Sequence, residues 1–208
     1  MKLTIKDGIL WACLLENGEA EVILPDGVET IGCHAFYHCT GLTNIIFPRS
    51  VKEIGRGSFS GCIGLTDAVL PDSVKIIGSR AFESCNHLTN VVLPDSVEEI
   101  GDYAFCRCTG LTNIVIPDRV VKIDRCTFKS CTGLMNIILS SSVKEIGCHA
   151  FFRCTGLESI VIPDSVQEIG EDTFVGCNLK KLVIHAHSGS CAEQYAKENH
   201  IRFEAIEK

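Results

Sequence analysis

Long apolar runs are missing from this chain of 208 residues: none approaches 18 residues, so no segment reads as a transmembrane helix. Clustered basic charge is missing as well. Lys and Arg number 19 against 26 Asp and Glu, a net charge of −7, and the two signs alternate along the chain, so no nucleic-acid partner is expected. The N-terminal stretch Met1-Lys2-Leu3-Thr4-Ile5-Lys6-Asp7-Gly8 has neither the apolar h-region nor the small-residue cleavage site of a secretory signal. A cytoplasmic protein is expected if Met1 is the natural start, with the cell surface or secretion as the alternative. No Ser/Gly-rich linker or charge block interrupts the sequence, and 46% apolar with 22% charged residues excludes disorder. A Gly-rich phosphate loop, a nucleophile elbow, a His-Glu-x-x-His helix and a Cys-x-x-Cys pair are all absent. Neither catalysis nor a cofactor is expected.

What is present is one pattern repeated seven times at a period of 23 residues: Val-x-x-Ile-Gly-x-x-Ala-Phe-x-x-Cys-x-Gly-Leu-x-x-Ile-x-Ile-Pro-x-Ser. Its leading valines are Val28, Val51, Val74, Val97, Val120, Val143 and Val166. A fixed period of this length is the signature of a solenoid, in which each copy buries its apolar face only against its neighbours. Within residues 97–119, Ile114 and Ile116 alternate with Asn113 and Val115 and read as a strand, which Pro117-Asp118 ends. Val97–Ile100 forms a second extended segment with Val97 and Ile100 inward. Gly101 is the natural site for a positive φ that reverses the chain. Ala104, Phe105 and Cys108 have the spacing of one short helical turn. Departures from the pattern are few: Asp124 replaces Gly, an exchange that suits a left-handed position, Ser140 replaces Pro, and one residue is missing after Cys177.

The thirteen cysteines include one complete column, Cys39, Cys62, Cys85, Cys108, Cys131, Cys154 and Cys177. Equivalent residues of stacked coils lie about 5 Å apart but point in parallel, which disfavours disulfides, so the column is read as small buried hydrophobes. Free thiols on this scale favour a reducing compartment. Residues 1–27 read as an N-terminal cap, with strands over Leu3–Ile5 and Ile9–Leu15 and Trp11 as a lid. Residues 28–185 carry the repeats. Residues 186–208 close the other end, where Ser190 and Glu193 have capping-box form ahead of a short helix burying Ala192, Tyr195 and Ala196. The whole makes one elongated domain.

These residues, chiefly Ile-Gly-x-x-Ala-Phe-x-x-Cys, Gly-Leu-Thr-x-Ile-x-Ile-Pro and the Ser190–Phe203 segment, resemble the BspA-type (Treponema pallidum-like) leucine-rich repeat. The resemblance implies an α/β solenoid of about seven 23-residue coils, with a parallel β-sheet on the open face and short helical turns opposite. Proteins of this family are often surface proteins implicated in adhesion, so a cell-surface adhesin is one reading of the chain.

On the open face two columns are expected to project outward. One is Glu21, Asn44, Asp67, Asn90, Asn113, Asn136, Ser159 and Lys181; the other is Ile23, Ile46, Val69, Val92, Val115, Ile138, Val161 and Val183. An uninterrupted aliphatic stripe beside an amide ladder points to an interface. Its partner would be a protein, a peptide or a second copy of the chain. Cys33, His34 and His38 form a local thiol–imidazole group, and a Cys–His pair recurs at Cys148-His149 five coils away, about 24 Å at ~4.8 Å per coil. They are read as solvated loop residues, as are His185 and His187, so no metal site is expected.

Overall fold

The computed structural model describes residues 2–15 and 20–207; Met1, residues 16–19 and Lys208, which fall in the expected end segments, lie outside it. The chain opens with β1 (Lys2–Lys6) and β2 (Ile9–Leu14). Seven coils follow, each with a three-residue and then a two-residue strand: β3 (Glu21–Ile23) and β4 (Thr30–Ile31), β5 (Asn44–Ile46) and β6 (Glu53–Ile54), β7 (Asp67–Val69) and β8 (Ile76–Ile77), β9 (Asn90–Val92) and β10 (Glu99–Ile100), β11 (Asn113–Val115) and β12 (Lys122–Ile123), β13 (Asn136–Ile138) and β14 (Glu145–Ile146), β15 (Ser159–Val161) and β16 (Glu168–Ile169). β17 (Val183–Ala186), α1 (Cys191–Glu198) and β18 (Arg202–Ala205) complete the chain. Each coil takes its name from the phenylalanine that follows its second strand, from the Phe36 coil to the Phe174 coil.

Those phenylalanines form the axis of one contiguous core. Phe36, Phe59, Phe82, Phe105, Phe128, Phe151 and Phe174 are all fully buried. Their rings stack at 4.9 Å between Phe36 and Phe59 and at 5.7 Å between Phe105 and Phe128, with near-parallel planes. A large ring at one position per coil gains both apolar burial and ring–ring attraction from each neighbour. Around it pack Val28 and its equivalents, the Ile at the end of each two-residue strand, and the middle residue of each three-residue strand, such as Ile45, Val91 and Ile114.

The two strand sides pair differently. The two-residue strands continue from the terminal hairpin in the order β1-β2-β4-β6-β8-β10 and restart as β12-β14-β16. The three-residue strands pair in parallel couples instead, β3 with β5, β7 with β9 and β11 with β13, before β15-β17-β18. At the junction between the Phe105 and Phe128 coils neither strand is paired with its neighbour, so both sheets are interrupted at one level.

The third side of each coil is not helical. Alternate N–H groups make turns within the coil, as Ala104 to Gly101, Cys106 to Tyr103 and Cys108 to Phe105, while Tyr103, Phe105 and Arg107 donate to Arg125, Thr127 and Lys129 of the next coil. A helix directs every N–H along its own axis, so it cannot form this ladder. Tandem turns therefore replace the expected helical turn, and the one α-helix among the described residues is the terminal α1.

Positive φ falls two and six residues later than expected, on Tyr103 (61°) and Arg107 (62°) rather than on Gly101. Gly101 is required for another reason: a Cβ there would lie 2.7 Å from the backbone N of Ser79. The glycine lets neighbouring coils touch. Asp124, which occupies this position in the Phe128 coil, is likewise not left-handed. Its side chain coincides with the interrupted strand pairing, and Asp102 Oδ1 there accepts from the Arg125 N–H at 3.1 Å.

The cysteine column is buried from Cys62 onward, with Cys39 half-buried, and has a polar task as well. From Cys62 onward each Sγ donates to the phenylalanine carbonyl of the preceding coil: Cys62 to Phe36 at 3.0 Å, Cys108 to Phe82 at 3.1 Å and Cys177 to Phe151 at 3.1 Å, while Cys39 donates to the Cys13 carbonyl at 3.9 Å. Burial pushes the Cys85 thiol up to about 12 and Cys177 to about 11, which suppresses the reactive thiolate. No disulfide occurs among the described residues.

At the N-terminal end, antiparallel β1 and β2 seal the core with Leu10, which is fully buried, whereas Trp11 is 53% exposed and is not the lid. At the other end Ser190 caps α1 by accepting from the Glu193 N–H, and Glu193 reaches back to the Gly189 N–H at 2.6 Å. Ala192, Tyr195 and Ala196 are buried beneath it, with Tyr195 edge-on to Phe174.

Candidate functional site

Period-two alternation fixes what the three-residue strands display. Their middle residues point inward, so the first and third residues of each strand point out. The third residues form the stripe: Ile46, Val69, Val92, Val115, Ile138 and Val161, from 46% exposed at Ile46 to 61% at Ile138, with Ile23 continuing it at the N-terminal end. β-branched residues suit strands wherever they face. Seven consecutive ones on the solvent side still leave a continuous apolar line that a monomer gains nothing by exposing.

The first residues form the amide column of Asn44, Asp67, Asn90, Asn113 and Asn136, and their hydrogen bonds follow the strand couples. Asn44 Nδ2 donates to Glu21 at 2.8 Å, Asn90 to Asp67 at 3.3 Å, and Asn136 to Asn113 at 2.8 Å. Each bond joins two strands that also share backbone pairing. Thr66 Oγ1 and Thr89 Oγ1 extend this support by donating to the carbonyls of Thr43 and Thr66. The polar column is thereby held in place, and the aliphatic stripe beside it is a fixed surface.

The stripe ends sooner than the sequence columns imply. Val161 is paired with His185, and Ser159 with Val183, so the chain gains a residue after Cys177 where a deletion was expected. Val183 is buried against the terminal segment, and Lys181 leaves the amide column to meet Glu158 at 2.7 Å. His185 and His187 are half-buried and lie beside Glu204 and Asp164, at 3.6 and 2.7 Å.

The thiol–imidazole group makes no metal geometry. Tyr37 lies between His34 and His38, edge-on to both at 5.3 and 4.3 Å. Among the described residues no three His, Cys, Asp or Glu side chains converge with ligand spacing. A cleft of about 570 Å³ does open at the interrupted junction, lined by Glu98, Asp102, Lys122 and Asp124 with the backbone around Gly78 and Gly101. Burial raises the Asp124 carboxyl above the usual range, an effect that Lys122 at 3.6 Å partly offsets.

Sequence reading missed a further surface, on the turn side. There Arg56, Arg107, Arg125 and Arg153 are exposed, with Arg80 and Lys129 half-buried among them. In sequence these residues are scattered among acidic ones; only the stacking of coils gathers them.

A solenoid of stacked strand–strand–turn coils with an exposed parallel-strand face is the architecture of a leucine-rich repeat protein, generally a non-enzymatic interaction scaffold. The family profile described as BspA type leucine rich repeat region (6 copies) matches residues 5–135 and 77–202. The chain belongs to this family. It is similar to a leucine-rich repeat protein of Bacteroides ovatus, with 30% identity and a TM-score of 0.65 over 89% of this chain and 51% of that one. It is also similar to the T. pallidum leucine rich repeat protein, at 28% identity and a TM-score of 0.62 over 75% of this chain and 87% of that one. A Eubacterium ventriosum leucine-rich repeat protein shares 27% identity and a TM-score of 0.73 over 83% of this chain and 47% of that one. The chain thus spans about half the length of the Bacteroides ovatus protein. No curated protein matches it.

Proposed function

We propose that this chain is a non-catalytic scaffold whose β5–β15 face binds a protein or peptide through the stripe Ile46, Val69, Val92, Val115, Ile138 and Val161. The observation that supports this reading is the stripe's continuity beside an amide column whose members are already hydrogen-bonded to one another. The side chains are fixed before a partner arrives, so binding removes apolar area from water at little cost in ordering, worth about 25 cal/mol per Å² before association entropy.

The test replaces Val92, Val115 and Ile138 together with Glu. Partners captured from an extract by the native chain are identified, and each is titrated against both proteins. The triple variant should keep the native melting profile and lose the interaction. Sedimentation of the native chain separates the case in which the partner is a second copy. Undiminished binding by the variant would remove the face from consideration.

A further inference from the structure

The strand sides and the turn side treat positive charge differently. On the strand sides several cations are paired across coils: Lys52 with Glu29 at 2.7 Å, Lys122 with Glu145 at 2.8 Å and Lys181 with Glu158 at 2.7 Å. On the turn side Arg80 is paired with Glu83 at 2.8 Å. Among the described residues, the side-chain cations of Arg56, Arg107, Arg125, Lys129 and Arg153 form no ion pair, although the Asp102 carboxylate accepts from the Arg125 backbone N–H, in a chain whose net charge is −7. They occupy four coils whose stacked rings beneath are 5.2 to 5.7 Å apart from Phe59 to Phe151. These cations outnumber Glu83 and Asp102 over the same coils, and a linear anion lying along the coil axis would meet several of them in turn.

The geometry points to this turn side as a binding surface for an acidic polysaccharide, a linear glycan bearing sulfate or carboxylate groups. Guanidinium groups offer paired N–H donors that match the two oxygens of either anion. Between the cations the same side carries Ser60, Ser79, Ser84 and Ser130, whose hydroxyls make no hydrogen bond within the chain among the described residues, and these suit the hydroxyls that separate charges on a sugar polymer. The aromatic residues argue against a single-stranded nucleic acid. Tyr103 is covered by Arg80 at 4.4 Å and Arg125 at 5.4 Å, and Phe152 by Lys129 at 5.0 Å and Arg153 at 5.2 Å. Stacking of bases needs open ring faces, and these are occupied.

The experiment titrates the full chain at low and high salt with dextran sulfate, hyaluronate, oligo(dT) and poly-glutamate. Both polysaccharides should bind, more weakly as salt rises, and more tightly than the nucleic acid or the peptide at equal charge. Arg107→Glu with Arg153→Glu should weaken dextran sulfate binding by about tenfold, near 1.4 kcal/mol. Arg107→Lys with Arg153→Lys, which keeps charge but loses the paired donors, should fall between the two. The Val92, Val115 and Ile138 variant should bind dextran sulfate as the native chain does, which separates this surface from the stripe. Absence of polysaccharide binding, equal or tighter binding of oligo(dT) or poly-glutamate, or a charge-reversed variant that folds and binds normally would each overturn the assignment.

Discussion

The junction between the Phe82 and Phe105 coils and the one between the Phe105 and Phe128 coils differ by little in sequence and by much in bonding. In the first, β8 and β10 pair, and the Glu98 and Gly101 N–H groups donate to Lys75 and Ile77, both at 2.8 Å. In the second, the equivalent N–H groups of Val121 and Asp124 make no such bonds, and β9 and β11 are unpaired as well. What crosses is the turn ladder, the Cys131 thiol on the Phe105 carbonyl at 3.0 Å, and the stacked rings at 5.7 Å. One Cβ at a position of backbone contact accounts for the loss on the short-strand side, because Asp124 cannot approach its neighbour as Gly101 does. Arg119 adds to it. Ser50, Ser73 and Ser96 bind the carbonyls of Val28, Val51 and Val74, and at Arg119 that series stops in favour of an ion pair with Glu98 at 3.6 Å.

The contrast is sharpest at the rings. Phe105→Ala should cost about 3–5 kcal/mol through lost burial and a cavity. It removes one of few links across the open junction, so urea unfolding followed by circular dichroism should divide into two transitions, whereas Phe82→Ala should keep one. A single transition with native slope in both variants would show that the open junction transmits cooperativity as well as the closed one.

Exchanging the small residue should move bonding between the junctions. Gly101→Ala should cost about 1–3 kcal/mol, since its Cβ meets backbone that must shift. Asp124→Gly should stabilise by about 1 kcal/mol, as recovered ladder bonds outweigh the added chain entropy. The second effect carries a pH signature. A carboxyl raised by burial binds its proton more tightly in the folded state, so it lowers stability at neutral pH and ceases to do so below its unfolded value. The gain from Asp124→Gly should therefore be largest at neutral pH and shrink on acidification; a gain that grows instead would exclude the carboxylate as the cause. The smallest effect is local. In native hydrogen exchange the Val121 and Asp124 amides should exchange faster than those of Glu98 and Gly101, and equal protection would mean that the junction is closed in solution.

Much of this architecture is legible in the residues alone. The phenylalanine ladder, the outward columns from Asn44 to Asn136 and Ile46 to Val161, and the Ser190 cap all follow from periodicity and local chemistry. What escaped depends on contacts between coils. Gly101 signals reversal when read within one repeat, yet its neighbour across the junction is what demands it. Ala104-Phe105 and Cys108 have helical spacing, but hydrogen bonds to the next coil settle the conformation and place φ of 61° on Tyr103. The arginines of the turn side look dispersed because Arg80, Arg107 and Arg125 are not one period apart. The register of β17 depends on an insertion whose place only the pairing of Ser159 with Val183 reveals.

The coupling of three-residue strands two by two bears on how such a chain can grow. On that side the ladder bonds and the asparagine bond of a couple are internal to a pair of coils, and Thr66 reaches across the first boundary, its N–H and Oγ1 both donating to the Thr43 carbonyl at 3.1 Å. Duplication or deletion of an even number of coils preserves every couple, while an odd change leaves one strand with its edge open beside a finished pair. For the three-residue strands alone, the pairing unit is thus twice the length of the repeat written in the gene, while the short strands and the turn ladder keep the single period.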